Sequence, residues 1–78
     1  MIPAFDDNGY LPPGIHVATL DEVAARFGQD SEIRKAEMES VRWLIAIAWQ
    51  AGVERIILNG SFVTDVLEPN DVDIDVIP

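Results

Sequence analysis

The sequence predicts a small α/β protein in which an N-terminal arm and two helices precede the first two strands of a sheet. Three observations carry this prediction. A helix-capping pattern begins at Thr19, a long helical pattern lies between Ser31 and Ala51, and aspartate alternates strictly with apolar residues after Asn70. A chain of 78 residues, 49% hydrophobic and without cysteine, suits a single domain over residues 1–78 that has no disulfides.

Residues 1–18 lack any periodicity and are punctuated by proline and glycine, so they predict an extended arm. The arm carries apolar side chains that can pack on the rest of the chain: Ile2, Phe5, Tyr10, Leu11 and Ile15. His16 is the only histidine. An isolated histidine in such a segment is typically a surface or capping residue, and we assign it no role as a ligand.

The first helix is predicted to begin after Thr19, because Thr19 and Glu22 form a capping box that satisfies free backbone N–H groups at both positions. Apolar residues then recur at helical spacing, at Leu20, Val23, Ala24 and Phe27. Gly28 is expected to end this helix.

A second helix, capped by Asp30 or Ser31, is predicted to run to about Ala51 and to end at Gly52. In its first half, the predicted solvent-facing residues are Glu32, Arg34, Lys35, Glu37, Glu39 and Arg42. The predicted inward residues are Ile33, Val41, Leu44 and Ile45. The stretch Trp43–Trp49 is apolar all round and must be covered on every side. We therefore expect at least a dimer, with Trp43 and Trp49 at the contact or one of them under the arm.

Glu54–Leu58 predicts a short buried strand that leads into Gly60-Ser61, and Phe62–Val66 predicts a short helix. Glycine permits close backbone approach and serine offers a hydroxyl, so this turn could hold a phosphate. The strand predicted over residues 71–77 places Asp71, Asp73 and Asp75 on one face. Such a row of carboxylates is favourable beside Mg²⁺, which binds carboxylate and phosphate oxygens. A plain hairpin with a solvated acidic face fits the same spacing.

Gly60-Ser61 followed by Asp71-Val72-Asp73 resembles the signature of the polymerase-β-like nucleotidyltransferase superfamily, including the minimal nucleotidyltransferases found in toxin–antitoxin loci. Together with the N-terminal segment, it also resembles the N-terminal half of an uncharacterised bacterial nucleotidyltransferase-like family. The resemblance implies that Gly60 and Ser61 bind the triphosphate of a nucleotide. It further implies that Asp71 and Asp73 are catalytic and bind Mg²⁺. Asp75 is a spare carboxylate.

The resemblance implies Mg²⁺-dependent transfer of a nucleotidyl group from a nucleoside triphosphate to an acceptor hydroxyl. The alternative is a non-catalytic, antitoxin-like or regulatory interaction module that keeps the first half of the fold. Family enzymes carry a third carboxylate on a later strand and a basic residue after Gly-Ser, whereas this chain has Asp65 and Glu68 there and no Lys or Arg after Arg55. A third possibility is that the chain is a truncated gene product or a fragment. The uncovered edge of the second predicted strand leads us to expect that another chain completes the sheet.

The net charge of −9 disfavours direct binding of nucleic acid, because neutralising phosphates requires clustered Lys and Arg. The same charge suits a metal ion or a basic protein partner such as a toxin, and self-association into a homo-oligomer is the other expected interaction. The longest apolar run is too short to span a bilayer, and residues 1–18 lack the pattern of a signal peptide. These features, with the absence of cysteine, lead us to expect a cytoplasmic protein.

Overall fold

The computed structural model describes residues 1–77, and Pro78 lies outside them. It has a mixed α/β architecture with two α-helices and a two-stranded antiparallel sheet. Helix α1 spans Leu20–Phe27 and helix α2 spans Glu32–Gln50. Strand β1 spans Arg55–Asn59, a single turn of 3-10 helix spans Ser61–Val63, and strand β2 spans Asp73–Ile77. The predicted fold class is confirmed at this level.

Both predicted helix starts are confirmed. The Thr19 hydroxyl accepts a hydrogen bond from the Glu22 N–H, and the Glu22 carboxylate accepts one from the Thr19 N–H, each at 3.1 Å. Ser31, rather than Asp30, caps α2 by accepting from the Arg34 N–H. Gly52, at φ of 81°, follows the last turn of α2, as the stop signal predicted.

The segment after the Gly-Ser turn differs from the prediction. Instead of a helix over residues 62–66, only Ser61–Val63 is helical. Strand β2 begins at Asp73, so Asp71 precedes the strand and does not share its regular alternation. Strand β1 also lies one residue later than predicted. The register pairs Asn59 with Asp73 and Ile57 with Asp75, and both aspartates therefore lie on the face opposite the one formed by Leu58 and Ile74.

The core lies where the arm, both helices and the inner face of the sheet meet. Its buried apolar residues are Phe27, Met38, Val41 and Phe62. Ile2, Phe5 and Leu11 of the arm pack against this cluster, which confirms that the arm covers apolar surface. Tyr10 and Ile15 do not join it, and both remain exposed.

Helix α2 places several residues differently from the amphipathic pattern. Ile33 and Leu44, predicted to face inward, are 42% and 41% exposed. Arg34, predicted to face solvent, is 2% exposed, and Glu37 is half-buried. Trp43 and Trp49 are 65% and 61% exposed, so neither is covered by the arm. No helix among residues 1–77 combines the length and apolarity that crossing a membrane requires.

Arg34 is buried because its guanidinium replaces water as the hydrogen-bond donor to a set of backbone carbonyls. Its two terminal nitrogens donate to the carbonyl oxygens of Phe27, Phe62 and Thr64 at 2.9, 2.8 and 2.6 Å, and Nε donates to that of Val66 at 2.9 Å. Burial lowers the pKa of Arg34, while the charges of Asp30, Glu37 and Asp65 oppose that shift. A single side chain thus fixes the end of α1 and residues 62–66 against α2.

Replacing Arg34 with methionine should cost at least about 3 kcal/mol of unfolding free energy, because each buried carbonyl left without a donor costs ~1–3 kcal/mol. Lys35→Met is the matched control, since it removes the same charge from the adjacent, exposed position. We expect its effect to stay within about 0.5 kcal/mol. Chemical denaturation of both variants measures the difference. Equal losses for the two variants would contradict the bracing role of Arg34.

Candidate functional site

The four predicted site residues Gly60, Ser61, Asp71 and Asp73 meet at one end of the two-stranded sheet. Gly60 and Ser61 follow directly on the end of β1, and Asp73 opens β2 opposite Asn59. Asp71 approaches the turn itself, because its backbone carbonyl accepts the Phe62 N–H at 3.0 Å. Asp75 lies farther along β2, opposite Ile57, and is exposed.

The side chain of Asp71 is bound by the Gly-Ser turn. Its Oδ1 accepts hydrogen bonds from the Ser61 N–H at 2.9 Å and from the Ser61 hydroxyl at 2.5 Å. The Ser61 Oγ in turn accepts from the backbone N–H groups of Asn70 and Asp71 at 3.0 and 3.1 Å. The two groups of Ser61 predicted to bind a phosphate therefore already hold one anion, the Asp71 carboxylate.

Gly60 is required at this turn for two reasons. Its φ of 90° lies in the left-handed region that side chains rarely adopt, and a Cβ there would stand 2.9 Å from Asp71 Oδ2. The missing side chain thus makes room for the second carboxylate oxygen. The sequence predicted that Gly60 lets a ligand approach the backbone closely. In the structure, the group that approaches Gly60 closely is the Asp71 carboxylate.

The Ser61 hydroxyl, and next the Ser61 N–H, lower the pKa of Asp71, because both hydrogen bonds favour its ionised form. Asp71 is consequently a carboxylate at neutral pH. Asp73 is exposed beside it. An ionised carboxylate and a second one two residues later are the hard oxygen donors that Mg²⁺ accepts.

The sequence did not indicate the carboxylate of Glu37 as part of this neighbourhood. Its Oε1 is buried without a hydrogen-bond partner among residues 1–77. Burial raises the pKa of Glu37, the charge of Arg34 opposes this, and the charge of Asp71 adds to it. Glu37 and Asp71 therefore lie close enough for their charges to interact. Only the spacing of Glu37 from Arg34, one helical turn, could have suggested that both turn inward.

Among the residues that the structure describes, no group of three or more His, Cys, Asp and Glu side chains is arranged to hold a metal ion. The pair Asp71 and Asp73 nevertheless fits the way proteins usually bind Mg²⁺. This ion commonly takes one or two carboxylates and completes its shell with water and substrate phosphates.

The Asp71–Ser61 contact makes the charge of Asp71 part of what stabilises the turn. Since the Asp71 carboxylate accepts two hydrogen bonds from Ser61, we expect Asp71→Asn to destabilise the fold at neutral pH.

The effect of Asp71→Asn should depend on pH in a defined direction. A carboxyl whose pKa is lowered by folding contributes stability above its unfolded pKa of about 3.9, and loses it as pH falls through the lower folded value. The gap in unfolding free energy between parent and variant should therefore be present at pH 7 and close below about pH 4. Denaturation curves across this range test it, with Asp75→Asn as the control of equal charge. A gap that does not change with pH would contradict the assignment.

A family model described as "Family of unknown function (DUF6932)" matches residues 3–77. The comparisons with curated proteins and with solved structures found no match.

Proposed function

The chain belongs to the family of unknown function DUF6932, and we propose that it is a nucleotidyltransferase-like protein that binds a nucleoside triphosphate together with Mg²⁺ at the Gly60–Ser61 turn. The observation that carries the proposal is the anion already seated there. The N–H and hydroxyl of Ser61 both donate to one carboxylate oxygen of Asp71. A turn that holds a carboxylate in this way has the donors that a phosphate oxygen requires.

The proposed roles follow from this arrangement. A phosphate oxygen can accept hydrogen bonds from Ser61 only if the Asp71 carboxylate releases them. A cation bound by Asp71 and Asp73 would favour this release, because it attracts the carboxylate. Bound Mg²⁺ would supply Lewis-acid stabilisation of phosphate charge and would lower the pKa of an acceptor hydroxyl. Gly60 keeps the backbone open at the point of contact, because any side chain there would occupy the space beside Asp71.

In the nucleotidyl transfer that the family resemblance implies, this end of the site serves to bind and orient the phosphates. Asp71 and Asp73 are the candidate catalytic and metal-binding residues, and Gly60 and Ser61 the candidate nucleotide-binding residues. The third carboxylate that superfamily enzymes carry on a later strand has no counterpart within residues 1–77, where β2 is the last strand. The proposal for this chain is therefore metal-dependent nucleotide binding first, with transfer as the reaction it would support.

Isothermal calorimetry of nucleoside triphosphates, with and without Mg²⁺, tests the proposal. We expect weak binding without the ion and binding at least about tenfold tighter with it, equivalent to ~1.4 kcal/mol. Asp73→Asn should remove the gain, because Asp73 is a candidate ligand that leaves the Asp71–Ser61 contact untouched. Asp75→Asn changes the charge of the same strand equally and should retain the gain. No Mg²⁺-dependent binding by the parent protein would refute this function.

A second candidate function, an interaction module, is favoured by the exposed apolar surface of α2. Trp43 and Ile47 are 65% and 45% exposed and lie on the side of the helix away from Val41 and Ile45, and Leu44, 41% exposed, flanks them. Each strand of the sheet also has one edge without a neighbouring strand among residues 1–77. We propose that a second copy or another protein covers this surface and extends the sheet.

Light scattering at micromolar concentration is expected to show at least a dimer. Trp43→Asp should weaken the assembly by placing a charge in a desolvated contact, at a cost of several kcal/mol. The sequence alone assigned this role equally to Trp49, which in the structure points about 60° from the core-facing side of α2, far from Trp43. Trp49→Asp is thus the matched control and should leave the assembly intact. A monomer with the parent sequence would refute self-association.

A further inference from the structure

A cavity of about 1370 Å³ opens beside the Gly-Ser turn. The arm from Asn8 to Leu20 forms one wall, and Glu54–Asn59, which includes all of β1, forms another. The C-terminal half of α2 closes the end away from the turn, where Ile45, Ala46 and Trp49 line the cavity. Gly60 and Ser61 also line it, so the candidate phosphate-binding groups and this cavity are continuous.

The two ends of the cavity differ in chemistry. Near the turn the lining includes Asn59, Ser61, Thr64 and the acidic Asp65, whereas α2 contributes Ile45, Ala46 and Trp49, which is 61% exposed. Two of the five basic residues of the chain, Arg42 and Arg55, lie in the cavity lining. Arg42 comes from α2 and Arg55 from the start of β1, at the end of the strand away from Gly60.

The cavity is also long enough for an extended ligand. Strand β1 runs from Arg55 to Asn59, and Gly60 follows it directly. Its five residues of extended chain span ~16 Å. A molecule with an aromatic base at one end and a chain of phosphates at the other matches this length, with Trp49 available to the base and the Ser61 donors to the phosphates. Base–aromatic stacking tolerates any base, because every base presents a π-face.

We propose that this cavity binds the nucleoside part of the nucleotide, with its base stacked on Trp49 and its phosphates directed to Gly60 and Ser61. This inference rests on the proposed function and adds the residues that recognise the base. Trp49 is a binding residue in this scheme, whereas Trp43 lies about 120° away around α2.

The two tryptophans permit a matched experiment on the full chain. Trp43→Phe leaves Trp49 as the only tryptophan, and Trp49→Phe leaves Trp43. Each chain is titrated with ATP, GTP, CTP and UTP in Mg²⁺, with adenosine, and with inorganic tripolyphosphate in Mg²⁺, and tryptophan emission is followed. We expect the nucleotides to quench the emission of Trp49 and to leave that of Trp43 unchanged. Tripolyphosphate should bind without quenching either.

Calorimetry of Trp49→Ala completes the test. Nucleotide binding should weaken about tenfold, within the range for loss of one base stack, while tripolyphosphate binding should not change. If nucleotides bind but Trp49→Ala leaves their affinity equal to that of the parent, the inference is overturned and the proposed function stands. If adenosine quenches Trp49 but no triphosphate binds in a Mg²⁺-dependent way, the cavity assignment stands and the proposed function fails. If no probe binds, both are overturned.

Discussion

The fold depends on the buried guanidinium of Arg34. Its donors reach carbonyls at the end of α1 and along residues 62–66, a segment that is largely outside helices and strands. Each hydrogen bond of this kind makes a modest net contribution to the free energy of unfolding, whereas leaving a buried carbonyl unpaired lowers that free energy by more. Since a domain of this size has only ~4–12 kcal/mol of stability in total, a few unpaired carbonyls decide whether residues 62–66 hold one conformation.

The candidate site inherits its geometry from that brace. Phe62, whose carbonyl Arg34 binds, is fully buried, and its N–H bonds the carbonyl of Asp71. Ser61 therefore lies between Phe62, which is fixed in the core, and Asp71, which lies two residues before the start of β2. The arm reinforces the other side of the same segment, where the Asp65 N–H donates to the Gly9 carbonyl at 3.0 Å. Gly9 has no room for a side chain there, because a Cβ would overlap the Asp65 carboxylate.

Local sequence signals predicted the elements well and the long-range contacts poorly. The capping box at Thr19 and the alternation of Asp73 and Asp75 are short-range patterns, and the structure has both where they indicate. Arg34 was wrongly predicted to face solvent, because a helical pattern assigns charged residues to the exposed face. The carbonyls that stabilise its buried guanidinium are distant in the sequence, and only tertiary contact brings them to it. Asp71 was assigned to the strand by alternation alone, whereas the Ser61 donors draw it out of that alternation.

The same contact explains why one motif permits opposite functional interpretations. Gly60 and Ser61 form an anion site in both, and what differs is the anion that occupies it. With Asp71 in place, the turn is a self-satisfied structural unit, as an interaction module requires. In the proposed nucleotide complex, Asp71 would be drawn to a cation and the Ser61 donors would become available to a phosphate from outside. Two carboxylates and a triphosphate cannot converge on one turn without a counterion, because their negative charges repel. The metal dependence that we propose follows from this repulsion.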